Sequence, residues 1–270
     1  MPDSRPIGVF DSGVGGLSVL REIRARLPFE ELIYCADSGF APYGSRSPDE
    51  IRERSLFLSE FLLEHGCKAL VIACNTATAA AADYLRQRWP ALLIIGMEPA
   101  VKPATAATRS GVVGVLATVG TLASARFAAL LDTFGNEVEL VTQPCPGLME
   151  CVERGELDTP GTRKLLESFV APLLLANADV VVLGCTHYVF LRSLVQELVG
   201  PAVKLIDTGA AVAAQVERKL IASAALALPE RAGTESFWVS GDSMRMNTTL
   251  QLLWQEQAVF SILPDRSPQP

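Results

Sequence analysis

Apolar residues fall into two rhythms along this chain. Short unbroken apolar runs alternate with longer stretches in which apolar positions recur every three or four residues. The runs read as buried strands and the spaced stretches as amphipathic helices. Strands are expected at 7–10, 32–35, 69–74, 92–97, 111–117, 138–142, 180–183, 203–206 and 237–239. Helices are expected at 17–27, from 47 to about 66, from Cys74 to Trp89-Pro90, and at 123–134, 148–154, 161–176, 190–198, 210–223 and 245–255. Ser47-Pro48-Asp49-Glu50 combines a cap, a first-position proline and a capping-box glutamate. Strand–helix alternation predicts an α/β protein with mainly parallel sheets flanked by helices.

The pattern restarts after the strand ending near Met97. Strand, small-residue turn and helix recur, and each series reaches an apolar run that ends in cysteine. The first is Val71-Ile72-Ala73-Cys74-Asn75-Thr76, the second Val182-Leu183-Gly184-Cys185-Thr186-His187, with Cys185 standing 111 positions after Cys74. The Gly8–Gly16 stretch likewise has a counterpart in 114–121. This predicts two similar domains, 1–97 plus 208–264 and 98–207, with 265–270 as a tail. Ligand loops at the strand C-terminal ends would face each other across an interdomain cleft.

Composition narrows the function. The 270 residues are 49% hydrophobic and carry a net charge of −7 without a basic block, which argues against a general nucleic-acid surface. No apolar run approaches the roughly 18 residues of a membrane span, and the first residues lack a secretory apolar region. Six scattered cysteines without Cys-x-x-Cys read as free thiols in a reducing cytoplasm. With only His65 and His187, zinc sites of the usual spacing are absent.

Each matched thiol would sit where a strand delivers it to a helix start, an environment that favours thiolate. A disulfide between them would block the cleft, redox catalysis usually wants a close pair, and nucleophilic catalysis needs only one thiol. Proton transfer at a carbon stereocentre uses two groups, one removing a proton from one face and one returning it to the other. Cys suits this because its ordinary pKa near 8.5 leaves thiol and thiolate both accessible. Asp11 and His187 can each assist one thiol. Hydroxyls, Asn75 and helix N-termini can hold substrate carboxylates.

Four ordered motifs carry a family resemblance: Asp11-Ser12-Gly13-Val14-Gly15-Gly16, Pro42-Tyr43-Gly44-Ser45-Arg46-Ser47, Ala73-Cys74-Asn75-Thr76-Ala77 and Leu183-Gly184-Cys185-Thr186-His187-Tyr188. Over roughly residues 7 to 260 the chain resembles the bacterial glutamate racemases of the cofactor-independent aspartate/glutamate racemase superfamily. The resemblance implies interconversion of L- and D-glutamate without a cofactor, supplying D-glutamate for peptidoglycan. It implies Cys74 and Cys185 as the acid/base pair, with Asp11, His187 and Glu153 completing the catalytic set. Substrate contacts are implied at Asp11, Ser12, Tyr43, Gly44, Asn75, Thr76, Thr186 and His187, and further matches occur at Thr118 and Thr121. Two positions depart from the pattern: Phe40 stands where a basic residue is expected, and Glu150 is an extra carboxylate.

Plainer readings compete. Cys35, Cys67, Cys145 and Cys151 read as buried small hydrophobes. Asp11 alone is an N-cap candidate, and Glu153 alone a solvated helix carboxylate. The glycine turn lacks the nucleotide-binding fingerprints. Another superfamily racemase, such as one acting on aspartate, or a non-catalytic ligand-binding module remain alternatives. The expected partner is a small-molecule substrate, glutamate; the sequence leaves a homodimer open.

Overall fold

The computed structural model describes residues 3–134, 138–254 and 258–264. The expected 265–270 tail, and Gln255 at the expected end of the last helix, lie outside the described residues.

Two parallel sheets organise the chain. Strands β1 (Ile7–Asp11), β2 (Leu32–Ala36), β3 (Ala69–Ile72) and β4 (Leu93–Ile95) stand in the order β2-β1-β3-β4. Strands β5 (Val112–Ala117), β6 (Glu139–Pro144), β7 (Val180–Leu183) and β8 (Lys204–Ile206) stand in the order β6-β5-β7-β8. The two orders are the same, so the internal repeat seen in the sequence is also a repeat of topology. Two later strands, β9 (Glu235–Val239) and β10 (Phe260–Ile262), extend the first sheet beyond β2, also in parallel. The central strands β1, β3 and β7 are buried along their whole length. Their unbroken Val/Ile/Leu runs are what a sheet covered on both faces requires.

Helices supply the cover. Helices α2 (Pro48–Glu64) and α3 (Asn75–Arg88) pack one face of the first sheet through Leu58, Leu62, Ala81 and Leu85. On the second sheet, α4 (Val101–Ala107) and α6 (Ala125–Phe134) do the same through Ala104 and Phe127. The remaining faces share one core. It joins α1 (Leu17–Arg26), α10 (Gly209–Ala222) and α11 (Ser243–Trp254) to α7 (Leu148–Glu153), α8 (Pro160–Leu175) and α9 (Arg192–Val199). Among the described residues no helix is long and apolar enough to cross a membrane.

Local chemistry explains most boundaries. The capping box of α2 forms as expected: Ser47 Oγ accepts from Glu50 N–H at 3.3 Å and Glu50 Oε2 accepts from Ser47 N–H at 2.9 Å. Such a cap contributes about 1 kcal/mol. Three features depart from the sequence reading. Helix α4 goes unannounced, because its seven residues have no side-chain cap. The three-residue β10 carries too little pattern to be read as a strand. The expected turn 118–121 is a short helix, α5 (Val119–Leu122), capped by Thr118 Oγ1 accepting from Thr121 N–H at 3.1 Å.

Candidate active site

The loops leaving the C-terminal ends of β1, β2 and β3 meet those leaving β5, β6 and β7 around one cavity of about 250 Å³. Both matched thiols line it, Cys74 just past β3 and Cys185 just past β7. Both are buried, at 6% and 7% exposed.

The two thiols sit in unlike surroundings. Cys74 caps α3, and its Sγ accepts from Ala77 N–H at 3.4 Å. Its thiol also lies 3.7 Å from Ser12 Oγ. Cys185 instead precedes a turn of 3₁₀ helix, Thr186–Leu191, and makes no capping bond. The expected α-helix start at the second thiol is therefore absent there. Cys185 Sγ lies 3.7 Å from His187 Nδ1.

Electrostatics corrects the expectation that a helix start makes Cys74 a thiolate. Burial raises its pKa well above the usual value, and the neighbouring Asp11 charge adds to this, outweighing the lowering by Ala77 N–H. Burial and the Asp11 charge thus favour the thiol form of Cys74. Asp11 is itself fully buried, and burial raises its pKa against the opposing effect of His187. Its Oδ1 accepts from Ser12 N–H at 2.6 Å and Ser12 Oγ at 3.1 Å. Its Oδ2 accepts from Thr186 Oγ1 at 3.0 Å. Asp11 thus reaches across to the loop of the second thiol, and it caps no helix: Gly16 precedes α1 without a side-chain cap.

Behind Cys185 stands an imidazole–carboxylate pair, its imidazole buried and its carboxylate partly so. His187 Nε2 lies 2.7 Å from Glu153 Oε1, and Gly15 N–H lies 3.2 Å from the same nitrogen. Glu153 Oε1 also accepts from Val14 N–H at 2.7 Å. Burial opposes the imidazolium, but contacts with Cys185 and Glu153 overcome it and push the His187 pKa well up. The glycine turn exists to admit these side chains. A Cβ on Gly13 would stand 1.9 Å from Glu153 Oε1, and one on Gly15 would stand 2.3 Å from His187 Nδ1.

Polar side chains in the wall cross-link the two halves. Thr76 Oγ1 bonds Thr118 Oγ1 at 3.0 Å and Thr121 Oγ1 at 3.1 Å. Asn75 Nδ2 donates to Gly184 O at 3.0 Å, while its Oδ1 is buried with no hydrogen-bond partner among the described residues. Tyr43 lines the cavity, and its hydroxyl donates to Asp37 Oδ2 at 2.5 Å. Gly44 lies against Thr118.

Known proteins resemble this chain in sequence and fold. The Asp/Glu/Hydantoin racemase family matches residues 7–216. The glutamate racemase of Ectopseudomonas mendocina (strain ymp) is 61% identical over 253 residues, covering 94% of this chain and 96% of that protein.

The chain belongs to the glutamate racemases of this family.

Solved glutamate racemases superpose along almost the whole length. Isoform RacE1 from Bacillus anthracis matches with a TM-score of 0.87 at 32% identity, covering 96% of this chain and 97% of that one. The Francisella tularensis glutamate racemase, solved in complex with D-glutamate, matches with a TM-score of 0.84 at 27% identity, covering 97% and 98%.

Of the residues singled out in this glutamate racemase sequence, Ser12, Tyr43, Gly44, Cys74, Asn75, Thr76, Cys185, Thr186 and His187 line the cavity, as do Thr118 and Thr121. Asp11 and Glu153 stand directly behind it. Cys145, read as a plain buried residue, also lines the wall, and burial raises its thiol pKa. Glu150 lines the cavity as well.

Sequence reasoning missed the knot that holds the Tyr43 loop. Asp37, fully buried, accepts from Arg54 Nε at 2.9 Å, Arg54 Nη2 at 2.7 Å and Ser240 Oγ at 2.7 Å, besides Tyr43. The Arg54 guanidinium lies over the Phe40 ring at 3.6 Å and over Phe57 at 4.6 Å. Phe40, the unexpected residue of that loop, thus forms a lid on Arg54. The only sequence signal was the loop acid Asp37, for which the chain offers many basic partners.

The raised His187 pKa has a stability consequence. An unfolded histidine loses its proton near 6.5, whereas His187 keeps its own to higher pH. Between those values the folded state binds more protons, so stability falls as pH rises. The contribution is complete below about pH 6.5 and is lost as pH passes the raised value. Urea unfolding of wild type and His187→Gln at about pH 6 and about pH 9 should show a stability gap that narrows at the higher pH. A gap that widens would contradict the assignment.

Proposed function

We propose that this protein interconverts L- and D-glutamate by a cofactor-independent proton transfer between two cysteines. The observation that carries the reading is the pair of thiols, one from each sheet, opening onto one small cavity. The same cavity offers an ammonium acceptor and many carboxylate donors. Asn75 Oδ1, buried and without a partner among the described residues, suits an ammonium, and the Asp11 carboxyl lies directly behind that wall. Thr76, Thr118, Thr121 and the α3 N-terminus suit a carboxylate.

In this reading one thiolate removes the Cα proton and the other cysteine, as thiol, donates to the opposite face. Reversal serves the other enantiomer. Cys74 rests as the thiol and is ready to donate. To act as base it must first lose its proton. An arriving substrate ammonium would offset the Asp11 charge that raises this thiol, which favours the loss. On the other side, His187 and Glu153 provide a route by which Cys185 can pass or receive a proton. Cavity dipoles and hydrogen bonds are placed to stabilise the carbanionic transition state.

The same reading divides the chain into 1–97 plus 208–264 and 98–207, each part bringing one thiol. It places the protein in the cytoplasm, where thiols stay reduced, feeding D-glutamate to peptidoglycan synthesis. Cavity geometry and the family motifs together support the catalytic and substrate-contacting roles.

Substrate choice is tested by comparing kcat/KM for glutamate and aspartate of both hands. One methylene is worth roughly 10–200-fold, and glutamate should lead by that order. A lead for aspartate would sink the substrate assignment but not the chemistry. Tight binding of glutamate without turnover would favour the ligand-binding alternative.

A further inference from the structure

Glu153 does not line the cavity; in the two-thiol mechanism it acts through His187. Its value to the reaction depends on which way its carboxylate faces. Three contacts decide that. Val14 N–H and His187 Nε2 both meet Oε1 at 2.7 Å, and Ser38 Oγ donates to Oε2 at 3.0 Å. Among the described residues only the third holds the far oxygen. The terminal torsion of a glutamate is broad and soft, so one anchored oxygen leaves the plane of the group free to swing. Two anchored oxygens fix it.

Ser38 is well placed to be that second anchor. It immediately follows Asp37, which Arg54 grips with two hydrogen bonds and which also binds Tyr43 and Ser240. On its other side Gly39 N–H donates to Ser240 O and to Ser240 Oγ, each at 3.0 Å. The backbone carrying Ser38 is therefore held on both flanks. The Asp37–Ser38 pair has two outputs: Asp37 sets Tyr43 in the cavity wall, and Ser38 sets Glu153 behind the second thiol. One loop of the first half thereby assembles both the substrate wall and the proton route of the other half.

We propose that Ser38 is a positioning residue for proton transfer at Cys185, its hydroxyl locking the Glu153 carboxylate so that Oε1 stays on His187. The inference rests on the two-thiol racemase mechanism. Ser38 touches neither thiol, and its effect passes entirely through Glu153 and His187.

The test uses the full-length enzyme as wild type, Ser38→Ala and Ser38→Thr, with L- and D-glutamate in protiated and Cα-deuterated form. Loss of a hydrogen bond to a charged group should lower kcat by about 10-fold, with KM within about 2-fold. Ser38→Thr keeps the hydroxyl and should recover most of the rate. Only the Cys185 step is slowed, so it becomes more rate-limiting. The primary isotope effect on kcat/KM should rise for the enantiomer that Cys185 deprotonates and fall for the other. A loose fold would not produce that opposition. Wild-type rates in Ser38→Ala, or a loss that Ser38→Thr fails to recover, would overturn the inference. So would a loss that leaves both isotope effects unchanged. Wild-type enzyme inactive on both enantiomers would instead bring down the racemase reading, and this inference with it.

Discussion

Replacing either cavity thiol by a hydroxyl, Cys74→Ser or Cys185→Ser, should reduce racemisation of glutamate by roughly 10²–10⁴-fold. Serine preserves the shape and the capping bond from Ala77 to position 74, so folding should be unaffected. What it removes is a group able to exist as both acid and base near neutral pH. The loss should be similar in the two variants and in both directions. Every turnover uses both thiols, and L- and D-glutamate have equal free energy. Circular dichroism at a fixed far-ultraviolet wavelength would confirm folding, and polarimetry or a coupled assay would give the rate. Full racemisation by either variant would rule out the two-thiol mechanism.

The largest effect on stability is expected at Arg54, far from the chemistry. Its side chain is 11% exposed and that of Asp37 fully buried, so their pairing is desolvated and bidentate. Removing one member of a buried pair leaves an uncompensated charge, at a cost of about 3–5 kcal/mol. Arg54→Ala also strips the stacking contacts with Phe40 and Phe57. Urea unfolding should register a loss in that range, and KM for glutamate should rise, because Asp37, the acceptor that orients Tyr43, loses its Arg54 clamp. Arg54→Lys restores charge but not the fork, so it should recover only part of the loss. A change below about 1 kcal/mol would show that the knot is not what holds the loop.

The fold was legible wherever strands were buried on both faces. Val9, Val71 and Val182 sit in apolar runs that only a covered parallel sheet explains, and the repeated ending at Cys74 and Cys185 foretold the repeated strand order. Short elements without a cap, such as α4, left no mark. The site was legible where function demands particular side chains in a row, as in Cys74-Asn75-Thr76 and Cys185-Thr186-His187. It was not legible where partners are distant in sequence. Asp37 meets Ser240 across 203 positions, and Ser38 meets Glu153 across 115. No local rule pairs such residues. Nor could the sequence weigh burial against a helix N-terminus. That balance makes Cys74 a resting thiol, although its position at the start of α3 suggested the opposite.

The proposed mechanism stands or falls on two different groups handling the proton on the two faces of one carbon. NMR of the reduced, pyridoxal-phosphate-free enzyme in D2O, started separately from L- and from D-glutamate, distinguishes two groups from one. Two bases predict that deuterium enters the product enantiomer from the first turnovers while the remaining substrate stays protiated. Deuterium entering substrate and product at equal rates from the start would mean that one group serves both faces, and would contradict the two-base mechanism.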